Sequence, residues 1–354
     1  MHYPDNKKFH ELLDRVQYAI DTNFPVCLYR KPFETEVKAV FQSSRKVYYA
    51  SNFDKRGFVF APYKSGESPV LLIPDDEAKA PFTIAKIETA TDSFPSYDAG
   101  KSEYLELVQK AIDTMCSGPL QKVVLSRKIE IKVEVDIKTL TVRLLNLYPS
   151  AFCYLFFHPQ TGLWIGATPE TFMEVVGGRL KTMSLAGTLP YEEEQEPQWS
   201  EKERLEQQVV TTFIKNKLSA EVHDLEISGP QTILAGKLWH LKSEFQGRLS
   251  DSTSIKKIVD LLHPTPAVCG YPRDLAKTFI QENESYQRMY YTGYLGELNK
   301  GRDLTSSFYV NLRCMQLFGD RVHIYVGGGI TSGSSPVKEW EETQNKSRTM
   351  MNIL

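Results

Sequence analysis

Two hairpins are written into residues 152–184, and they constrain the fold more than any other feature of the chain. Phe152–Phe157 turns through His158-Pro159-Gln160-Thr161-Gly162 into Leu163–Gly166. Thr171–Val176 turns through Gly177-Gly178 into Arg179–Ser184, where paired glycines supply the positive φ of a two-residue loop. Such loops join only antiparallel neighbours, because parallel strands need a long crossover. Just upstream, Lys122–Val135 alternates apolar and polar residues as one long strand. Strands in hairpin-linked groups, interrupted by helical stretches, imply antiparallel sheets in an α+β protein.

The remaining pattern fits that class. Phe9, Leu12, Leu13, Val16, Ala19 and Ile20 have helical spacing within residues 5–22. Short strands are expected at 26–30, 37–42, 46–50, 57–61 and 70–73. Residues 74–100, with Phe94-Pro95-Ser96, read as a loose connection between an N-terminal part and the rest. Helices are expected at about 101–116, 137–147, 200–219, 254–262, 273–281 and 336–351, and late strands at 290–298, 305–315 and 321–327. The chain has no βαβα alternation, no G-x-G-x-x-G and no P-loop.

Composition removes several classes of function. With 42 basic and 44 acidic residues the formal charge is -2, so the strongly basic face that nucleic acid requires is not expected. The polar stretch Met1–His10 contains no secretory apolar region, and no run approaches the roughly 20 apolar residues that span a bilayer. Cys27, Cys116, Cys153, Cys269 and Cys314 are dispersed, without a C-x-x-C pair. They read as reduced thiols, and the expected location is the cytoplasm. The few histidines show no metal-ligand spacing, which argues against zinc.

Two helices carry acidic residues of interest. Val326-Gly327-Gly328-Gly329-Ile330 ends a strand and leads to Ser335-Pro336, an N-cap followed by proline at the first helical position. Glycines beside a helix start leave backbone N–H groups open to an anion, although glycine-rich turns are often only turns. Glu339, Glu342 and Lys346 then share one helix face. An ordinary account also covers them: Glu339 suits a helix N-terminus, and Glu342 with Lys346 is an i, i+4 pair. In the other helix Ser200 and Glu203 match a capping box, while Glu206 is left unused by the cap. A carboxylate on each of two helices suits Mg²⁺, which prefers one or two carboxylates with water and substrate oxygens.

Nine ordered motifs together resemble the chorismate-utilising enzymes, the isochorismate, salicylate, anthranilate and aminodeoxychorismate synthases. They are Gln121–Arg127, Ile165–Glu170, Ser184–Thr188, Ser200–Glu206, His263–Pro272, Tyr291–Gly293, Asn311–Arg313, Gly327–Ile330 and Glu339–Glu342. The resemblance runs from about Leu120 to the C-terminus. It implies one large domain over residues 1–354, with a variable N-terminal part over 1–95 and a catalytic core over 101–354. The implied fold is two stacked antiparallel sheets with helices outside. The implied cofactor is Mg²⁺, held by Glu206 and Glu342 with Glu339 directly or through water, and gripping the ring carboxylate of chorismate. Tyr291 and Arg313 would hold the enolpyruvyl carboxylate, with Lys346, Gly328 and Gly329 serving the anionic substrate. Gly187, Thr188, His263 and Ala267 complete the implied substrate contacts.

By the same resemblance Lys122 is the base that activates the nucleophile and Glu170 the acid for the departing C4 hydroxyl. The amine-using members usually carry glutamine at the Lys122 position, so lysine implies water as nucleophile and no amidotransferase subunit. A lysine base must be neutral part of the time, which desolvation or a neighbouring cation favours. Glu170 must be protonated, which burial beside other carboxylates would favour. The expectation is an isomerase, an isochorismate synthase acting as a monomer and feeding menaquinone or siderophore synthesis. A salicylate synthase, which goes on to eliminate pyruvate, is the alternative; Ala267 in the His263 motif favours the former.

Overall fold

Both hairpins form, and the chain sends them to different sheets. The structure, a computed structural model, describes residues 6–64, 66–85, 98–191, 196–235 and 238–354. The first sheet has nine strands, in spatial order Gly270–Tyr271, Lys122–Lys132, Arg321–Thr331, Cys314–Leu317, Gly162–Thr168, Phe152–His158, Val26–Arg30, Glu36–Phe41 and Asp76–Pro81. The second runs Val222–Ile227, Leu238–Leu249, Arg179–Pro190, Thr171–Val176, Thr305–Val310, Tyr294–Lys300, Gly57–Ala61, Val70–Leu72 and Tyr48–Tyr49, with Gln231–Ala235 also paired to Leu238–Leu249. Every pairing is antiparallel, as the hairpin turns require.

The sheets stack through an aromatic layer. Phe152 stacks on Tyr309 at 4.0 Å between ring centroids and Phe60 on Phe156 at 4.4 Å, and within the first sheet Trp164 stacks on Tyr325 at 5.3 Å. Helices cover the outer faces, so central strands are buried on both sides. Val26–Arg30 shows this: Val26 and Leu28 pack with Phe9, Leu12 and Val16 of the Lys7–Asp21 helix, while Cys27 and Tyr29 face the aromatic layer. Arg30 is fully buried and donates to Leu145 O (2.7 Å) and Tyr148 O (2.8 Å). It satisfies Leu145 O, whose i+4 residue Pro149 has no N–H to give, and adds a second donor to Tyr148 O, which also accepts from the Ala151 N–H (3.2 Å).

The helices Glu201–Leu218 and Ile255–Leu262 press Val210, Phe213 and Leu262 against Phe172 and Phe245 of the second sheet. The helices Lys101–Ser117, Arg273–Asn283 and Pro336–Met351 close over one end of the first, around Val123, Leu125, Ile330 and Trp340. Strands from the first eighty residues enter both sheets.

Four expectations need correction. The strand expected over 305–315 is two strands in different sheets, broken at Asn311-Leu312-Arg313. The strand expected to end at 327 continues to Thr331, so the glycines lie inside a strand and not in a turn. The strands over 222–249 were not expected, because Ser243 and Gly247 occupy inward positions and dilute the apolar alternation. Within the expected loose connection, Asp76–Pro81 is an edge strand paired with Glu36–Phe41; Phe94-Pro95-Ser96 lies outside the described residues.

Candidate active site

The site sits where the chain passes between the sheets. Pro169-Glu170 carries it from the first sheet to the second, and Asn311-Leu312-Arg313 carries it back. The two crossings are tied together: the Val310 N–H donates to Glu170 O (3.0 Å) and the Ala167 N–H to Arg313 O (3.0 Å). Arg313 adopts a φ of 47°, in the left-handed region that side-chain-bearing residues rarely occupy. Asn311, fully buried, accepts from Tyr154 Oη (2.6 Å) and donates to Tyr290 O (2.8 Å). The loop bearing Tyr291 is thereby fixed against the crossing that bears Arg313. Thr349 of the C-terminal helix accepts from the Arg313 guanidinium (3.0 Å).

A narrow cleft opens at this seam, lined by residues of both sheets and both crossings. Of the residues expected to bind substrate, Gly187, Thr188, Ala267, Tyr291, Arg313, Gly328, Gly329 and Lys346 all line it, together with Glu170 and Glu206. A β-bulge between Ala186 and Thr188, with Gly187 at φ 70°, turns that strand edge into the cleft.

The glycine strip is the floor. Gly327, Gly328 and Gly329 pair with Ser126, Leu125 and Val124 of the strand that begins at Lys122. A Cβ on Gly329 would fall 2.1 Å from Glu206 Oε1 and 3.0 Å from Lys122 Cε. A Cβ on Gly328 would lie 3.2 Å from Glu339 Oε2 and 3.3 Å from Glu342 Oε1. The glycines are therefore needed for close approach by three carboxylates and a lysine, not for backbone reversal. On its other edge the strand's ladder with Cys314–Leu317 ends at Tyr325, so residues 326–331 have no strand partner there.

Lys122 is fully buried with its Nζ 3.0 Å from Glu206 Oε1. Burial matches expectation, but the nearest charge is a carboxylate and not a cation. Burial raises the Glu206 pKa, yet Lys122, Lys202 and Lys346 outweigh it and hold the group below its ordinary value. Glu339 is the reverse case: burial, then Glu342, push its pKa up to about 7 against the pull of Lys202. Its Oε1 meets Lys202 Nζ at 2.5 Å and its buried Oε2 has no partner. Glu342 meets Lys346 at 2.5 Å, and Lys346 also donates to Gly327 O (3.0 Å).

The expected metal ligands fit a divalent cation in their chemistry. Carboxylates that repel one another converge on a side-chain-free strip, and one buried oxygen among them is unsatisfied. Each is paired with a lysine, and among the described residues no three His, Cys, Asp or Glu side chains stand close enough together to hold a metal ion as a group. Mg²⁺ needs only one or two carboxylates beside water and substrate oxygens.

Glu170, expected from its motif to be the acid, is buried at the crossing between the sheets. Burial pushes its carboxyl up to about 8, against the opposing pull of Lys122 and Lys346, so it is protonated at neutral pH. The cause is burial alone: the charged neighbours are lysines, not the carboxylates anticipated.

Two histidines differ from expectation. His263 does not line the cleft. It stands at the end of the Ile255–Leu262 helix and its Nε2 donates toward Pro62 O (3.2 Å) and Tyr63 O (3.1 Å), while the turn beyond it delivers Ala267 and Val268 to the site. His240, not anticipated, does line it. Its Nδ1 lies 3.0 Å from Gly187 O, which can only accept, so Nδ1 carries the proton and the buried, unpartnered Nε2 is an acceptor. Burial, with Arg313 and Lys346 nearby, pulls its pKa down to about 3 and keeps the ring neutral. No sequence signal marked His240: it is out of phase with the inward series Leu241, Ser243 and Phe245 and pairs with Thr188 beside the bulge, within strands that sequence pattern did not reveal.

Comparison with known proteins bears on this site. The family profile described as "Chorismate binding enzyme" matches residues 77–354. The chain is 31% identical over 264 residues to the isochorismate synthase EntC of Escherichia coli strain K12, covering 72% of this chain and 67% of that protein. It is 30% identical over 269 residues to the isochorismate synthase MenF of the same strain, covering 72% and 60%. The structure of MenF, the menaquinone-specific isochorismate synthase from Escherichia coli, superposes with a TM-score of 0.77 at 22% identity, covering 94% of this chain and 89% of that one.

Proposed function

The chain belongs to the chorismate-binding enzymes, and from that premise we propose that it is an isochorismate synthase, an isomerase that moves the hydroxyl of chorismate from C4 to C2. Lys122 takes a proton from water, whose oxygen bonds to C2. The ring double bonds shift, and Glu170 protonates the C4 hydroxyl as it leaves as water. One water enters and one departs, so the product is an isomer. The reading is carried by one observation: a carboxyl held protonated at neutral pH lines a cleft with Gly329 and Glu206, and the buried Lys122 packs directly behind those two residues.

Arg313 and Tyr291 hold the enolpyruvyl carboxylate, and the neutral His240 accepts through Nε2 from a substrate hydroxyl. Glu206 and Glu342, with Glu339 directly or through water, would hold Mg²⁺. When bound, the ion supplies positive charge that neutralises and fixes the ring carboxylate. Lys202 and Lys346 balance the acidic cluster on the helix side.

The test is incubation of the protein with chorismate and Mg²⁺, without ammonia or glutamine, and chromatography of the products. Isochorismate is expected, and its loss in Lys122→Gln. Anthranilate formed only with ammonia, or pyruvate released with fluorescent salicylate as the main product, would refute the assignment.

A further inference from the structure

Glu284 and Arg288 lie just beyond the Arg273–Asn283 helix, with both side chains 2% exposed. The guanidinium is bonded in every direction it offers. Nε and Nη2 donate to the two oxygens of Glu284 (2.8 and 2.6 Å). Nη2 also reaches Val124 O (2.6 Å), while Nη1 reaches Val268 O (2.9 Å) and Thr292 Oγ1 (3.4 Å). Glu284 Oε1 in turn accepts from the N–H and Oγ of Ser126 (2.8 and 2.7 Å). Tyr63 lies over the guanidinium at 4.7 Å.

A buried ion pair alone is explained by folding; the destinations of these bonds are not. Val124 is two residues from Lys122, Val268 follows Ala267, and Thr292 follows Tyr291, and all three line the cleft. Thr292 has a φ of 61°, strained for a β-branched residue, so it needs outside bonds to hold it. Its partners are Arg288 and Asn311.

We infer that Glu284 and Arg288 are positioning residues, a planar clamp that sets the Lys122 strand, the Ala267–Val268 turn and the Tyr291 loop relative to one another. The inference rests on the assignment of Lys122 and Tyr291 above. A guanidinium offers five N–H directions in one rigid plane, and an ammonium offers three from a point. Arg288→Lys therefore keeps the charge beside Glu284 but cannot bridge Val124, Val268 and Thr292 together.

The expected result for Arg288→Lys is an unchanged circular-dichroism spectrum and near-native melting, with kcat on chorismate reduced roughly tenfold to a hundredfold and KM little altered. Arg288→Ala should regain activity with added guanidinium ion but not with methylammonium. The ion has a route, because Glu284, Arg288 and Tyr63 also line an outer cavity bounded by Lys277, Tyr286 and Met289. Wild-type kcat in folded Arg288→Lys, or a loss that only follows the unfolded fraction, overturns the clamp. If Arg288→Lys does not fold, Ser126→Ala, which removes one bond to Glu284, carries the test: reduced kcat at unchanged melting supports the clamp and native kcat overturns it. A wild type inert toward chorismate sinks the functional assignment and this inference together, whereas an active wild type beside an equally active Arg288→Lys sinks only the clamp.

Discussion

Gly329→Ala probes the site through a single methyl group. The added Cβ would meet Glu206 Oε1 at 2.1 Å, where ordinary contact begins at 3.4 Å, so the carboxylate must retreat by about 1.3 Å. It would also crowd Lys122 Cε at 3.0 Å. Gly329 has no positive φ, so alanine adds no backbone strain and the whole perturbation falls on those two side chains. Overpacking of this kind costs about 1–3 kcal/mol of stability, which a chain with a core this extensive should survive. Displacing a reacting or ligating group by about 1 Å costs on the order of a hundredfold in rate, or about 2.7 kcal/mol of barrier. The assay is isochorismate formation across a Mg²⁺ titration, with thermal melting in parallel. The expected outcome is a folded protein with kcat down about a hundredfold and a higher Mg²⁺ requirement. Gly333→Ala, which meets no atom within 4 Å, should behave as wild type. Full activity in Gly329→Ala would refute the argument that this glycine exists to admit Glu206.

Two further predictions concern charge and burial. Because burial holds the Glu170 pKa at about 8, above its ordinary value of 4.5, the folded chain binds a proton there that the unfolded chain has released. Activity should therefore fall as pH rises through about 8, and the Glu170 contribution to stability, full below 4.5, should be lost across the window from 4.5 to 8. Glu170→Gln should abolish turnover and flatten that part of the melting-versus-pH curve; an unchanged curve would contradict the assignment of the shift to this group. Arg30→Met should cost about 1–3 kcal/mol, since it strands the Leu145 carbonyl in the core, while Tyr148 O keeps the Ala151 N–H. It should leave kcat intact, and denaturant unfolding with a parallel activity assay checks both halves.

Local residues dictated a good deal of this protein. The Gly177-Gly178 turn closes its hairpin as expected, and Ser200 with Glu203 forms the capping box that opens the Glu206 helix. Pro336 begins the C-terminal helix and sets Glu339, Glu342 and Lys346 on one face. These are short-range effects of dihedral preference and cap chemistry, which act within a few residues wherever the segment finally lies. What the tertiary structure alone decided lies at the seam between the sheets. The 305–315 run reads as one strand, and only packing breaks it at Asn311–Arg313 and sends its halves to different sheets. The glycine triplet reads as a turn, and only the pairing with Lys122–Lys132 makes it a strip that three carboxylates approach. His240 and the Glu284–Arg288 pair carry no local signal, because their partners are a bulge, a turn and a strand far away in sequence. A period-two or 3.6-residue pattern reports which face of an element is apolar, but not which element will cover it.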